Sequence, residues 1–249
     1  MGGFTEKYDQ EYEPDTRLVL DCKKIWLIEG KEENKYLVQG GVHLSEGKYD
    51  LAIENYTLAI NIAPDSYVAF SQRGVAYKKA GDFVSAINDY KEAQKVDPGL
   101  AIKDGCLFDN IANAYQRLGD FKIAISYHDK ALKLSPNNPF IIYNRGLTRM
   151  EMKNYDGAFK DFQRSLELLP DGNPALLIIG TALSLNGRYK ESIKYFDQAI
   201  QKYQRPNHYA LRGLTYLDLD DTDKACSDLI YALENGETKV SDFVETYCN

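Results

Sequence analysis

The chain has 249 residues, which is enough for one large domain or two small ones. Apolar residues make up 44% and charged residues 27%, as in soluble globular chains that bury a core. The 30 Lys and Arg against 37 Asp and Glu give a net charge of −7, which argues against a nucleic-acid binder because such proteins need cations to neutralise phosphates. No apolar run reaches the roughly 18–20 residues of a membrane-spanning helix, so membrane insertion is not expected.

The N-terminal residues carry neither of two common targeting signals. Residues 1–15 lack the basic and apolar blocks of a secretory leader, and Glu6 stands where a myristoylation motif requires Ser or Thr. We expect residues 1–15 to form a mobile acidic tail and residues 16–32 to form an N-terminal capping helix. The absence of these signals predicts a cytoplasmic protein.

The cysteines and histidines are scattered along the chain. The four cysteines form no C-x-x-C motif and lie at Cys22, Cys106, Cys226 and Cys248. This spacing predicts free thiols in a reducing compartment rather than a disulfide or zinc framework. The three histidines lie equally far apart, at His43, His128 and His208. We therefore expect no metal site and no cofactor.

The sequence repeats itself with a period close to 34 residues. One series of small residues consists of Gly40, Gly74, Ala112, Gly146, Gly180 and Gly213. A second series keeps the same five spacings and consists of Ala52, Ala86, Ala124, Ala158, Ser192 and Ala225. Prolines follow in the same register at Pro64, Pro98, Pro136 and Pro170. Such a fixed period predicts a stack of similar structural repeats.

Each repeat is predicted to hold two helices. Bulky residues flank the small one at helical spacing, as in Phe70, Gly74 and Tyr77, and this stripe is typical of an amphipathic helix. A turn glycine such as Gly81 then fits a helix C-terminus that needs a left-handed residue. Proline closes the second helix because it cannot continue one.

The 34-residue period, the small residues at positions 8, 20 and 27 and the proline at position 32 resemble the tetratricopeptide repeat (TPR) family. The resemblance covers six repeats, at 33–66, 67–104, 105–138, 139–172, 173–205 and 206–236. It implies an all-α fold, a right-handed superhelical solenoid of helix-turn-helix repeats with short capping helices, the last of them at 237–249. Repeat 4 departs from the pattern because Lys153 replaces the turn glycine.

Two positions vary together within the repeats. Positions 7 and 23 are Arg and Asp in repeats 2, 4 and 6, Ile and Tyr in repeats 3 and 5, and Gln and Asn in repeat 1. The charged pairs are Arg73 with Asp89, Arg145 with Asp161 and Arg212 with Asp228. Since an unpaired buried arginine would be costly, the pattern predicts a structural contact between the two helices of each repeat.

The resemblance implies that the first helices line a concave face, with positions 2, 5, 9 and 12 pointing to it. A large apolar patch of this kind usually marks an interaction site. The predicted partner-binding residues are Asn113, Gln116, Phe140, Tyr143, Leu147, Met150, Leu177, Thr181, Leu214 and Leu217. Because Tyr143 and Leu147 are predicted to lie outside the inter-helix core, glutamate at both positions should leave the melting temperature nearly unchanged.

These features predict a non-catalytic scaffold or adaptor that binds a peptide or helix of a partner protein in the concave groove. No G-x-S-x-G, P-loop or H-E-x-x-H motif is present, and the segments outside the repeats are too short for a catalytic domain. The alternatives are a self-assembling homo-oligomer, an accessory or inhibitory (immunity-type) subunit of an enzyme, and a groove covered by the chain's own tails.

Overall fold

The computed structural model describes residues 32–99, 105–170 and 175–248. These ranges form thirteen α-helices and one 3-10 turn, and they contain no strand. The helices are α1 Glu33–Ser45, α2 Tyr49–Ile62, α3 Tyr67–Ala80, α4 Phe83–Val96, α5 Cys106–Arg117, α6 Phe121–Leu134, α7 Pro139–Glu151, α8 Tyr155–Leu168, α9 Ala175–Leu185, α10 Tyr189–Tyr203, α11 Pro206–Leu217, α12 Thr222–Glu234 and α13 Ser241–Tyr247, with the 3-10 turn at Thr238–Val240. The predicted all-α fold of consecutive helix pairs is confirmed. The predicted tail at 1–15 and nearly all of the predicted helix at 16–32 lie outside the described residues.

The chain divides after Asn137 into two compact units, and each is described by itself. In the N-terminal unit, α1 to α6 pack in chain order, and the first helices α1, α3 and α5 also contact one another in sequence. In the C-terminal unit, α7 to α12 pack in chain order, and α9 also contacts α11. Each unit therefore holds three helix pairs, and each pair packs against the next.

Local side chains explain where the helices begin and end. The carboxylate of Asp82 accepts a hydrogen bond from the Ser85 amide at the start of α4, and Asn154 caps α8 in the same way. The turns inside the pairs use left-handed residues, mostly glycine, as at Gly81 with φ +87°. Lys153 takes this conformation at φ +59° in place of the glycine, so the departure in repeat 4 leaves the turn intact.

Small residues at position 8 let a large side chain at position 24 fill the centre of each pair. A Cβ added to Gly146 would lie 2.6 Å from Phe162 Cε1, and one added to Gly180 would lie 2.5 Å from Phe196 Cε1. Both rings are almost completely buried. In repeat 3 the glycine is Ala112, and the residue at position 24 is the smaller ring of His128. A larger residue at position 8 is thus accompanied by a smaller ring at position 24, as the limited space between the two helices requires.

The predicted contacts between positions 7 and 23 are confirmed in repeats 2 to 6. Each arginine donates two hydrogen bonds to its aspartate, with N···O distances of 2.7–3.0 Å. In repeats 3 and 5 the isoleucine is fully buried and the tyrosine packs against its cluster. In repeat 1 the Asn55 amide donates instead to the Leu51 carbonyl.

The prediction of free thiols is wrong. Cys226 on α12 and Cys248 just after α13 form a disulfide, with their Cα atoms 5.3 Å apart. Cys106, at the start of α5, is also in a disulfide. The error arose because spacing was judged along the sequence, whereas α13 folds back onto α12 and brings two distant cysteines together.

The C-terminal residues close the last helix pair of the C-terminal unit. Val240 is buried in a cluster with Ala225, Leu229 and Ala232, and Phe243 and Val244 pack against that cluster. Tyr247 is exposed. The 3-10 turn and α13 therefore cover apolar surface that α11 and α12 would otherwise present to water.

Candidate partner-binding surface

The first helices of the N-terminal unit carry a polar cluster. Asp109 on α5 accepts a hydrogen bond from the Asn113 side chain at 3.1 Å, and its other carboxylate oxygen lies 2.9 Å from Nδ1 of the buried His128. The Gln116 side chain is half-buried and has no hydrogen-bond partner among the described residues. Of the two predicted amides, Gln116 therefore keeps its full hydrogen-bonding capacity, whereas Asn113 already uses one N–H.

Lys78 joins this cluster from the neighbouring helix α3. Its Nζ donates a 2.7 Å hydrogen bond to Asn110 Oδ1 on α5. Burial lowers the pKa of Lys78 to about 8, while the nearby Asp109 carboxylate acts in the opposite direction. The ammonium group of Lys78 thus lies between Asn110 and the Asp109 carboxylate, and part of its side chain stays accessible.

The predicted apolar residues of the C-terminal unit fall into two groups. Phe140 on α7 and Leu177 on α9 are half-buried and belong to neither core cluster of this unit. Tyr143, Leu147 and Met150 are also half-buried, but all three pack against the core formed with α8 and α9. Leu214 and Leu217 pack in the same way against the cluster that α11 shares with α12.

Two predictions about exposure need correction. Tyr143 lies 5.2 Å, centroid to centroid, from the buried ring of Phe162, so it and Leu147 contribute to the inter-helix core. Glutamate at these positions would therefore destabilise the fold rather than leave it unchanged. Thr181 is only 8% exposed, because α9 packs between α8 and α10 and also contacts α11. Its hydroxyl donates to the Leu177 carbonyl and is not offered to a ligand.

Carboxylates engage the first-helix arginines of the C-terminal unit, Arg145, Arg149 and Arg212. In the C-terminal unit Asp161 accepts hydrogen bonds from both Arg145 and Arg149, and Arg212 bonds Asp228 and Asp197. The bond to Asp228 raises the pKa of Arg212 despite its partial burial. These guanidinium groups hold the helices together and leave little free positive charge for an anionic ligand.

The described residues were also compared with the requirements of a metal site and of a membrane-spanning helix. Within the described residues no three His, Cys, Asp or Glu side chains come close enough to hold a metal ion. No helix in those ranges is long and apolar enough to cross a bilayer.

Sequence reasoning missed the coupling of Lys78, Asp109 and His128. The signal was present, because repeat 3 alone replaces glycine by alanine at position 8 and the large apolar residue by histidine at position 24. A histidine at a buried position needs a polar partner, and position 5 of that repeat holds the only acidic residue among the six equivalents.

Paired helices in a 34-residue register define the chain as a helical repeat protein of the solenoid type. Profiles of the tetratricopeptide repeat match residues 36–66, 68–100, 110–138 and 143–208. The chain belongs to the tetratricopeptide repeat family.

Similar proteins share the repeat but are longer. TPR repeat-containing protein MJ1428 of Methanocaldococcus jannaschii is 24% identical over 198 residues, which cover 78% of this chain and 31% of that protein. Human tetratricopeptide repeat protein 13 is 28% identical over 240 residues, which cover 86% of this chain and 27% of that protein. The chain thus spans about a third or less of these relatives.

Solved structures show the same fold at low identity. PilW, described as a widely conserved type IV pilus biogenesis factor, aligns with a TM-score of 0.73 and 18% identity, covering 87% of this chain and 98% of PilW. YrrB, described as a TPR protein with an unusual peptide-binding site, aligns with a TM-score of 0.60 and 19% identity, covering 73% of this chain and 92% of YrrB. TPR proteins generally mediate protein–protein interactions, and the family is typically non-catalytic.

Proposed function

We propose that this protein is a non-catalytic scaffold that binds a peptide or helix of a partner protein on the first helices of its C-terminal unit. The observation that carries the proposal is the position of Phe140 and Leu177. Both are large apolar side chains on first helices, both keep part of their surface accessible, and neither is held in a core cluster. When a partner covers apolar surface of this kind, the removal of that surface from water favours binding.

The partner that fits this face is apolar on its contacting side. The guanidinium groups of α7 and α11 are engaged by Asp161 and Asp228, so a strongly acidic peptide finds few free cations. An amphipathic helix would instead place leucine-like residues against Phe140 and Leu177. YrrB, which shares the fold, is described as having a peptide-binding site, and this supports a peptide ligand by analogy alone.

The test compares partner capture by three forms of the protein. The first is the wild type, and the second is the double variant Phe140→Ser with Leu177→Ser. The control is Ile230→Ser, which removes an exposed apolar residue from the second helix α12 of the same unit. Circular dichroism first verifies that all three keep their helicity.

A protein captured by the wild type and by Ile230→Ser but lost from the double variant would support the proposal. Equal capture by all three forms would refute it and direct attention to other surfaces. If nothing is captured, the molar mass in solution is measured over a range of protein concentrations. A molar mass that rises with concentration would favour the alternative of a self-assembling homo-oligomer. A stable one-to-one complex with an enzyme would favour the inhibitory subunit.

A further inference from the structure

The disulfide between Cys226 and Cys248 closes the outer end of a helical hairpin. Helix α12 ends at Glu234, and the chain reverses through the 3-10 turn at Thr238–Val240 before α13 packs back onto α12. Cys226 lies in the second turn of α12, and Cys248 directly follows α13. Helix α13 is therefore joined to α12 at both ends, by the backbone at one end and by the S–S bond at the other.

The packing of α13 is modest apart from this bond. None of its seven residues is buried. Phe243 and Val244 pack against the last core cluster but stay half-buried, and Tyr247 is 52% exposed. An isolated helix needs roughly 12–15 residues to persist in water, which is more than α13 has. The docked state of α13 therefore depends strongly on the second attachment.

The S–S bond lies at the surface of the C-terminal unit. Cys226 and Cys248 are both half-buried, and their neighbours Ser227 and Tyr247 are exposed. Thiol–disulfide exchange requires that a thiolate reach a sulfur of the bond, and a surface position permits this approach. We infer that the bond between Cys226 and Cys248 is a redox-sensitive site, whose reduction by a dithiol releases α13 while α11 and α12 stay paired.

The helix pair beneath α13 has contacts of its own. Arg212 on α11 donates two hydrogen bonds to Asp228 on α12, with N···O distances of 2.7 and 2.8 Å. The rings of Tyr209 on α11 and Tyr231 on α12 lie 4.3 Å apart, centroid to centroid. Because neither contact involves α13, the pair keeps both of them when α13 leaves, and the opening is local.

The covalent step is thiol–disulfide exchange. A thiolate of the dithiol attacks one sulfur of the bond, and the other sulfur leaves as a thiolate that takes up a proton. The second thiol of the dithiol then breaks the mixed disulfide and forms an S–S bond within the reductant. Cys226 and Cys248 thereby gain two electrons and two protons, which the dithiol loses. Oxidised glutathione reverses the step and becomes two molecules of reduced glutathione.

Release of α13 changes the surface of the C-terminal unit. Phe243 and Val244 leave the cluster that contains Leu229, and water reaches the apolar surface on both sides. The reduced form thus presents apolar surface that the oxidised form covers. This inference does not rest on the proposed function, because Phe140 and Leu177 lie on α7 and α9 and outside this cluster.

Amide hydrogen exchange measured by mass spectrometry tests the inference on the full-length protein. The oxidised protein is compared with protein treated with dithiothreitol, and alkylation of Cys226 and Cys248 verifies the reduction. We expect the amides of residues 245–248 to exchange at least about tenfold faster after reduction, because the bond across 22 residues no longer restrains them. Exchange within α12 should change far less, and oxidised glutathione should restore slow exchange in α13.

The double variant Cys226→Ser with Cys248→Ser is the matched control, since the reductant also breaks the disulfide of Cys106. Its α13 should exchange rapidly with and without dithiothreitol, and circular dichroism verifies its helicity. The comparison within the wild type needs no substitution.

Three results would overturn the inference. Unchanged exchange of α13 in the reduced wild type would show that packing alone holds the helix. Equal acceleration of α12 and α13 would show that the bond supports the whole pair. A response of α13 to dithiothreitol in the double variant would show that the effect arises elsewhere in the chain.

Discussion

Substitution of two adjacent glycines on α1, Gly40 and Gly41, distinguishes the steric effect of a side chain at position 8 from the effect of helix propensity. A Cβ added to Gly40 would lie 2.6 Å from Tyr56 Cε1, whereas one added to Gly41 would lie 3.8 Å from the Tyr56 hydroxyl oxygen. Tyr56 is fully buried, so its ring cannot swing away. Both changes to alanine gain about 1 kcal/mol of helix propensity. Only Gly40→Ala overpacks the core, which should lower the free energy of unfolding by about 1–3 kcal/mol.

The two variants should therefore differ in their free energy of unfolding by about 1–3 kcal/mol, since the propensity gain cancels between them. Gly41→Ala is expected to be as stable as the wild type or more stable. Urea unfolding followed by circular dichroism gives the midpoint and the slope for each variant. If Gly40→Ala matched Gly41→Ala, the packing of Tyr56 onto α1 would not explain the glycine at position 8.

Three further outcomes follow from buried groups. Asp161→Asn should lower the free energy of unfolding by about 3–5 kcal/mol, because two arginines lose a buried carboxylate. The control Glu191→Gln changes an exposed ion pair and should leave the urea midpoint unchanged. Equal losses of stability in the two variants would contradict this contrast. Burial lowers the pKa of His208 below 6.5, so the unfolded state takes up the proton first and the free energy of unfolding should fall as the pH drops below 6.5. His208→Gln should remove this contribution to the pH dependence of stability. Equal stability-against-pH curves for the variant and the wild type would refute the role of His208. The double variant Cys226→Ser with Cys248→Ser should lose roughly 3 kcal/mol for the 22-residue separation, and an unmoved midpoint would show that the bond adds no stability.

The fold was predictable because its determinants are local and repeated. Small residues recur at positions 8 and 20 of all six repeats, where two helices of a pair come close, and a closing proline marks the end of four of them. The pairing of Arg145 with Asp161 was predictable for the same reason, since both positions change together from repeat to repeat.

The surface was predicted less well because exposure depends on neighbouring repeats. Thr181 occupies a position assigned to the groove, yet Gly180 and Ala182 beside it let the adjacent helices approach closely enough to enclose it. The disulfide of Cys226 and Cys248 was missed because it depends on the return of α13 to α12, which no spacing along the chain reports.

The cysteine findings also change one expectation about the protein's surroundings. Disulfides persist in oxidising compartments and are rare in the cytosol. The cytoplasmic location inferred from the sequence stays a prediction, and the thiol argument that accompanied it no longer supports it.

The contacts between positions 7 and 23 have a consequence for how the chain assembles. Six helix pairs of similar length and packing invite mistaken pairing, in which a first helix takes the second helix of the next repeat. The chemistry alternates along the chain, so such a slip would set Arg73 against Tyr127 and Ile111 against Asp161. Each error would bury a charge without its counterion, at a cost of several kcal/mol. The alternation therefore favours the native pairing of first and second helices over a pairing slipped by one repeat.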